Sequence, residues 1–344
     1  MIHLVQVHNG QSRRVALVEE PNLRCLTEVD SVYQLAQRCL KSGRGLSDET
    51  LVLARGETLG YDMVYAGVSE WRLLAPIDVP GNPSRLMITG TGLTHLGSAK
   101  ERQAMHAAEA QKAAAKAAAA ETVTDSMRMF QWGVEGGHPK AGEAGIAPEW
   151  FYKGNGSILR GPFEPLTVPP YAEDGGEEAE IAGIYIIGDD GVPYRIGMTP
   201  GNEFSDHKFE KRNYLNLAGS KLRTCSVGPE LVAGADFRSI DGEARIQRGG
   251  ETVWSKALAT GEENMCHSLA NIEHHHFKFE SHRQPGDVHV HFFGAHSLSF
   301  GDGVVLHDGD WMEVRYESFG RALRNPIRIE TKGANRLVSV RALT

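Results

Sequence analysis

The sequence predicts an α+β fold that is mainly β. From Ile181 onward helical periodicity almost vanishes, and short apolar runs alternate with Gly, Pro and Asp turns. The first 80 residues instead mix a short apolar start with a helix-like segment, and residues 104–120 hold eleven alanines. Together these imply a small N-terminal α/β domain over residues 1–80. A larger, β-rich domain follows over residues 81–344, interrupted at about 96–147 by a helical lid or arm.

Each element follows from local chemistry. Val32 to Leu40 has helical spacing, and a polar tract then runs to Trp71-Arg72-Leu73-Leu74-Ala75-Pro76-Ile77. Pro80, Gly81 and Pro83 punctuate the boundary, and Leu86-Met87-Ile88-Thr89-Gly90 reads as a buried strand. The alanine-rich segment is a strong helix former with little apolar bulk to bury, so a poorly anchored helix is expected there. Five glycines from Gly133 to Gly145 read as a flexible connection before Trp150-Phe151-Tyr152 restores order. Ile181 to Ile187, Tyr194 to Met198, Val288 to Phe293, Trp311 to Tyr316 and Leu337 to Val340 are the expected strands, and Gly188-Asp189-Asp190-Gly191 is a hairpin turn.

Composition narrows function. Lys and Arg total 36 against 44 Asp and Glu, so the formal charge of −8 gives no footprint for a nucleic-acid backbone. No stretch of eighteen apolar residues and no secretory layout at the N-terminus are present, which leads us to expect a cytoplasmic protein without a membrane span. Cys25, Cys39, Cys225 and Cys266 lack CxxC spacing and are expected as buried, reduced thiols.

The chemistry-bearing signal is carboxylate spacing. Glu178 and Glu180 are two apart and lead into the strand from Ile181, so both side chains point to one face. Carboxylates held that close repel unless a cation or a proton intervenes, and an all-oxygen set suits a hard ion such as Mg²⁺. Glu203 and Asp206 both qualify as a third ligand. Either is equally suited to cap a helix over Asp206 to Leu217.

In order along the chain, the motifs resemble the fumarylacetoacetate hydrolase superfamily. Leu73-Leu74-Ala75-Pro76-Ile77 is similar to its "LLAP" entry and Thr91-Gly92-Leu93-Thr94 to its "GLNY" strand end. Phe151-Tyr152-Lys153 with Gly161-Pro162 follows, then Glu178-Ala179-Glu180 resembling "EVE" and Asn202-Glu203-Phe204-Ser205 resembling "NDVS". Lys221, Gly228-Pro229, Pro285-Gly286-Asp287-Val288, Leu306-His307-Asp308-Gly309-Asp310 and Leu323-Arg324-Asn325-Pro326-Ile327 complete the series. The resemblance implies a mixed β-roll catalytic domain and a homodimer. It also implies a divalent cation, Mg²⁺ or Mn²⁺, held by Glu178, Glu180 and Glu203, with a 2-keto acid as the substrate.

Departures from the family pattern point to the reaction. Where superfamily hydrolases carry a His-x-x-Glu dyad on the lid, this chain has Ser98 and Glu101, and a serine hydroxyl cannot take a proton from water as imidazole does. The family's "TGTP" substrate turn is replaced by His291-Phe292-Phe293-Gly294-Ala295-His296. These features resemble the sugar-acid branch, whose members dehydrate 2-keto-3-deoxy aldonates and need no activated water. The resemblance implies a lyase acting on a pentonate to give 2-oxoglutarate semialdehyde, with Lys221 as base if burial and a neighbouring cation lower its pKa. Glu101, or a water it holds, then protonates the leaving hydroxyl. Lys153, Thr199, His291 and His296 are the expected substrate contacts. A shifted lid register would instead make His95 the base of a hydrolase acting on a 2,4-diketo acid, and a non-catalytic sugar-acid binding protein is a third reading. His274-His275-His276 and His289 are assigned to packing or surface roles rather than to zinc.

Overall fold

The computed structural model describes residues 1–100, 102–104, 124–331, 333 and 337–343. Glu101 and nearly all of the expected alanine-rich helix lie outside the described residues.

The N-terminal region opens as a meander of β1 (Ile2–His8), β2 (Arg13–Glu19) and β3 (Asn22–Cys25). Helix α1 (Val32–Ser42) forms where the spacing predicts it. The Ser31 side chain caps its start by accepting from the Gln34 N–H at 3.2 Å, and Gly43, at φ 69°, ends it. Val32, Leu35 and Ala36 face inward from it. The polar tract is ordered too, as α2 (Leu46–Leu53), β4 (Thr58–Gly60), α3 (Tyr61–Tyr65) and β5 (Arg72–Leu73).

Beyond the boundary come β6 (Leu86–Gly92) and helix α4, described at residues 96–100 and 102–104. Helix α5 (Asp125–Gly136) corrects the expected flexible connection, because Gly133 lies inside it. A Cβ at Gly133 would stand 2.6 Å from Cys266 Sγ, and one at Gly137 would stand 2.0 Å from Cys266 O. These glycines allow close packing rather than mobility. Strands β7 (Glu149–Asn155), β8 (Leu159–Arg160), β9 (Leu166–Val168), β10 (Ala179–Ile187) and β11 (Pro193–Asn202) follow. The expected turn over residues 188–191 joins the last two.

The helix expected over Asp206 to Leu217 is broken into α6 (His207–Arg212), a 3₁₀ turn and α7 (Leu217–Lys221). Then come β12 (Cys225–Val227), β13 (Leu231–Ala233), the hairpin β14 (Ile240–Arg248) and β15 (Glu251–Thr260), helix α8 (Leu269–Phe277), β16 (Val288–Phe292), β17 (Trp311–Tyr316) and β18 (Leu323–Ile329). Leu337 to Val340 is not a strand. Its apolar side chains are exposed, Leu337 at 86% and Val340 at 94%, and no ladder partner orders them.

Thirteen strands form one sheet whose main path runs β4-β3-β2-β1-β13-β11-β10-β16-β6-β7. The N-terminal strands therefore continue the main sheet, through the pairing of Ile2 with Ala233. A second sheet, β15-β14-β17-β18-β9, packs on one face. Strand β10 is buried at all nine positions and divides two cores by its period of two. Ile181, Tyr185 and Ile187 face the second sheet, whereas Ala182, Ile184 and Ile186 face α1, β6 and Phe292 of β16.

Candidate active site

Hairpin register assembles the carboxylates. In the antiparallel pair β10/β11, Ala179 opposes Asn202 and Glu180 opposes Gly201, so the next position sets Glu203 across from Glu178. The Glu203 N–H donates to Glu178 O at 2.9 Å, and an isolated bridge between Gly176 and Ser205 carries the same register outward. Residues directly opposed in a ladder share a face. Glu178, Glu180 and Glu203 accordingly converge, each offering an oxygen within 4.8 Å of the others, and all three are buried. Asp206, the alternative third ligand, is instead the cap of α6, accepting from the Phe209 N–H at 3.0 Å and pairing with Arg223.

Two lysines share this cluster. Lys221 Nζ donates to Glu178 Oε1 at 2.6 Å and to Glu203 Oε2 at 2.5 Å, and lies 4.6 Å from the centre of the Phe151 ring. Lys153 Nζ donates to Phe204 O and Lys221 O, both at 2.8 Å, and lies 2.5 Å from Glu203 Oε1. Glu203 Oε1 is thus paired in charge with the Lys153 ammonium. Ser205 Oγ donates to Glu203 Oε2, the Gly294 N–H donates to Glu180 Oε2 at 2.6 Å, and His207 Nε2 lies 3.0 Å from Glu178 Oε1.

Glu178 and Glu203 are paired by the two ammonium groups, and Glu178 by His207 as well, whereas Glu180 has no ion-pair partner among the described residues. Burial and the charges of Glu178 and Glu203 push the Glu180 carboxyl well above its ordinary range. Glu178, although buried, is held low by Lys221 and His207. An acid driven upward by its like-charged neighbours is the arrangement a cation resolves, and the all-oxygen set fits a hard divalent ion.

Several expected residues take other places. Burial lowers Lys221, but Glu178 and Glu203 outweigh it and raise its pKa above the usual lysine value. The two carboxylates thus hold the ammonium charged, and the depression expected of it requires the neighbouring cation that expectation names. Lys153 is the lysine that burial pulls down, and its contacts with Glu203 and two carbonyls occupy an ammonium's three donors. It orders the backbone around Glu203 rather than presenting a free donor to a substrate. Thr199 is buried opposite Ala182, on the carboxylate face.

His291 is corrected by the pleat. It pairs with Gly183, so it lies on the face opposite Glu178 and Glu180. There it stacks on His276, with Nδ1 2.7 Å from Thr89 Oγ1 and Nε2 2.8 Å from Thr91 Oγ1. His276 and His289 pack beside it, hydrogen-bonded to each other at 3.0 Å. Ser98 Oγ donates to His95 O at 3.1 Å within the first turn of α4. His95 is buried between the hydroxyls of Thr94 and Thr260, and burial takes its pKa down to about 3.

Three contributors carried no sequence signal of their own: Ser205, His207 and Gly294. The main-chain segment through Gly294 is strapped across the site. Gly294 reaches Glu180 at one end, and at the other the Ser299 N–H and hydroxyl both reach the buried Glu177. Between them His296 packs edge-on to His95, and His296 Nδ1 and Ser297 Oγ are buried without a hydrogen-bond partner. Gly294 has φ 103°, and a Cβ there would stand 2.0 Å from Thr94 Oγ1, so only glycine lets the strap approach the lid's base.

No family model and no curated protein matches the sequence. Solved structures do match. 2-Keto-3-deoxy-D-arabinonate dehydratase, in a structure complexed with magnesium and 2,5-dioxopentanoate, superposes with a TM-score of 0.67 at 18% identity, covering 96% of this chain and 100% of that one. A 5-carboxymethyl-2-hydroxymuconate delta-isomerase from Mycobacterium smegmatis gives 0.56 at 15% identity, over 95% and 100% of the two chains. A 2-hydroxyhepta-2,4-diene-1,7-dioate isomerase from Mycobacterium marinum gives 0.55 at 16%, over 96% and 100%. The likeness is one of fold, and the fold it shows is the one the ordered motifs imply, that of the fumarylacetoacetate hydrolase superfamily.

Proposed function

We propose that the protein is a hydro-lyase that dehydrates a 2-keto-3-deoxy-pentonate to 2-oxoglutarate semialdehyde, which is 2,5-dioxopentanoate. The observation that carries this is the buried triad Glu178, Glu180 and Glu203 beside two lysines, neither of which pairs with Glu180. It lies in a fold shared with a dehydratase whose structure holds magnesium and that same product. Mg²⁺ is the ion we assign to the triad, and Mn²⁺ has the same ligand preference.

A divalent ion held by Glu178, Glu180 and Glu203 would supply the Lewis acidity that polarises the carbonyl of a 2-keto acid and acidifies its C3 protons. Lys221 shares its two carboxylates with that site, so its proton is held less firmly once their charge is taken up by a cation. We assign it removal of the C3 proton. Loss of the C4 hydroxyl completes the elimination of water, with Glu101 in the acid role. Two successive tautomerisations through the dienol then move a C5 proton and the hydroxyl proton onto C3 and C4, which saturates that bond and leaves the C5 alcohol as the aldehyde. Lys153 keeps Glu203 and the Phe204 carbonyl in place. Thr199 and the strap bearing His296 and Ser297 face the substrate hydroxyls in this reading. The setting we infer is a cytoplasmic homodimer in non-phosphorylative pentose breakdown.

The hydrolase reading needs His95 to activate water, and an imidazole whose two nitrogens are taken by threonine hydroxyls and whose pKa burial lowers to about 3 is a poor base for it. The decisive assay incubates the purified protein and Mg²⁺ with 2-keto-3-deoxy-pentonates of both C4 configurations. We expect semialdehyde from one of them and loss of turnover with a chelator. Pyruvate released from a 2,4-diketo acid, or tight binding with no product, would overturn the assignment.

A further inference from the structure

His207, at the start of α6, reaches the Glu178 carboxylate of the triad. Its place follows from the ladder. Gly176, Glu178 and Glu180 share a face with Ser205, Glu203 and Gly201, and His207 is two residues beyond Ser205, at the first position of α6. The ring lies against Gly176, where a Cβ would stand 2.3 Å from Nδ1 and 2.6 Å from Cε1, so glycine at 176 makes room for the imidazole. It is 1% exposed, packs against Phe300 and has no hydrogen-bond partner at Nδ1. Among the described residues its side chain's hydrogen-bond contact is with Glu178 Oε1, at 3.0 Å.

Glu178 Oε1 also receives Lys221 Nζ at 2.6 Å. Two donors on one oxygen fix the carboxylate plane and leave Oε2 without a protein donor among the described residues. A carboxylate turned by either donor's loss no longer presents that oxygen in register with Glu180 and Glu203. We propose that His207 is a positioning residue for the cation site: its Nε2–H locks Glu178 Oε1 so that Oε2 faces the ion. This rests on the functional reading above, in which the triad binds Mg²⁺. It adds a requirement for a donor at the Nε2 position, which a ring of merely the right shape does not supply.

The test compares His207→Gln, whose amide N–H₂ reaches the Nε2 position, with His207→Asn, whose amide stops at the Nδ1 position, and with His207→Ala. Mg²⁺ affinity is read by titration calorimetry on the full-length protein, alongside Tm without metal and the KM and kcat of the dehydration. We expect Mg²⁺ binding to weaken about ten-fold or more in the Asn and Ala variants and to stay within about three-fold in the Gln variant. The metal-free Tm values of Gln and Asn should be alike. Wild-type Mg²⁺ affinity in a folded Asn variant would overturn the proposal, and so would a Gln variant as weak as Asn. Gly176→Ala, which pushes the ring off Glu178, should reproduce the Asn phenotype. Failure of the unaltered protein to bind Mg²⁺ at all would instead remove the functional reading on which the proposal stands.

Discussion

At the scale of single residues, charge count decides what the site wants. Glu180 is the carboxylate left without a counter-ion, and its pKa is raised by burial and by Glu178 and Glu203. A raised carboxyl binds its proton more tightly folded than unfolded, so its ionisation costs stability as pH climbs above the ordinary carboxylate range and until the folded pKa is passed. Glu178, held low, works in the opposite sense, so the comparison that isolates Glu180 is with its isostere. Without metal, Glu180→Gln should melt above the unaltered protein, by a margin that grows from pH 5 upward in calorimetric scans. The same variant should lose Mg²⁺ binding and at least about 100-fold in turnover. Ser98 belongs to the other category: its hydroxyl closes a helix turn onto His95 O, so Ser98→Ala should keep activity within about three-fold in the semialdehyde assay. A dead Ser98→Ala protein with intact Mg²⁺ binding would show that the lid hydroxyl takes part in the chemistry.

Among elements, the β10/β11 hairpin does most of the positioning. The spacing of Glu178 and Glu180 was legible because strand period is two, and the strand Ile181 to Ile187 was legible from its apolar run. What the sequence left open was the third ligand, and register closes it by placing Glu203 opposite Glu178 while Asp206 turns to cap α6. The same period misplaced nothing within β10, yet it removes His291 from the site, since one strand over its parity puts it on the far face. Gly201 marks how tightly that face is built: it opposes Glu180, and a Cβ there would stand 2.5 Å from Phe292 Cε1. Gly201→Ala should therefore cost about 1–3 kcal/mol in urea unfolding and weaken Mg²⁺ binding, because Phe292 or the hairpin must shift. An alanine variant with unchanged midpoint would mean that Phe292 moves freely.

For the molecule as a whole, a sheet with cores on both faces leaves few reactive groups near solvent. Burial pushes Cys225 and Cys266 up to about 12 and Cys25 and Cys39 up to about 11, and none is paired. The folded protein at pH 8 should react slowly with an aromatic disulfide reagent and yield four equivalents in denaturant, with half-buried Cys39 the first to react. Rapid labelling of all four in the native state would contradict the packing described. Among the described residues no helix is long and apolar enough to cross a membrane.

By itself the sequence determined the strand-rich architecture, the helix α1, the buried thiols and the carboxylate pair, because each depends on a short-range period or on composition. Tertiary structure alone decided which distant groups meet. Lys221 lies 43 residues from Glu178 and becomes its ion-pair partner, which raises a pKa that sequence reasoning expected to fall. The glycines at 133 and 137 turned out to admit a neighbour's backbone and sulfur, since the need for space is invisible until the other chain segment is in place. Leu337 to Val340 shows the converse: alternation favours a strand, but a strand exists only where another offers its ladder.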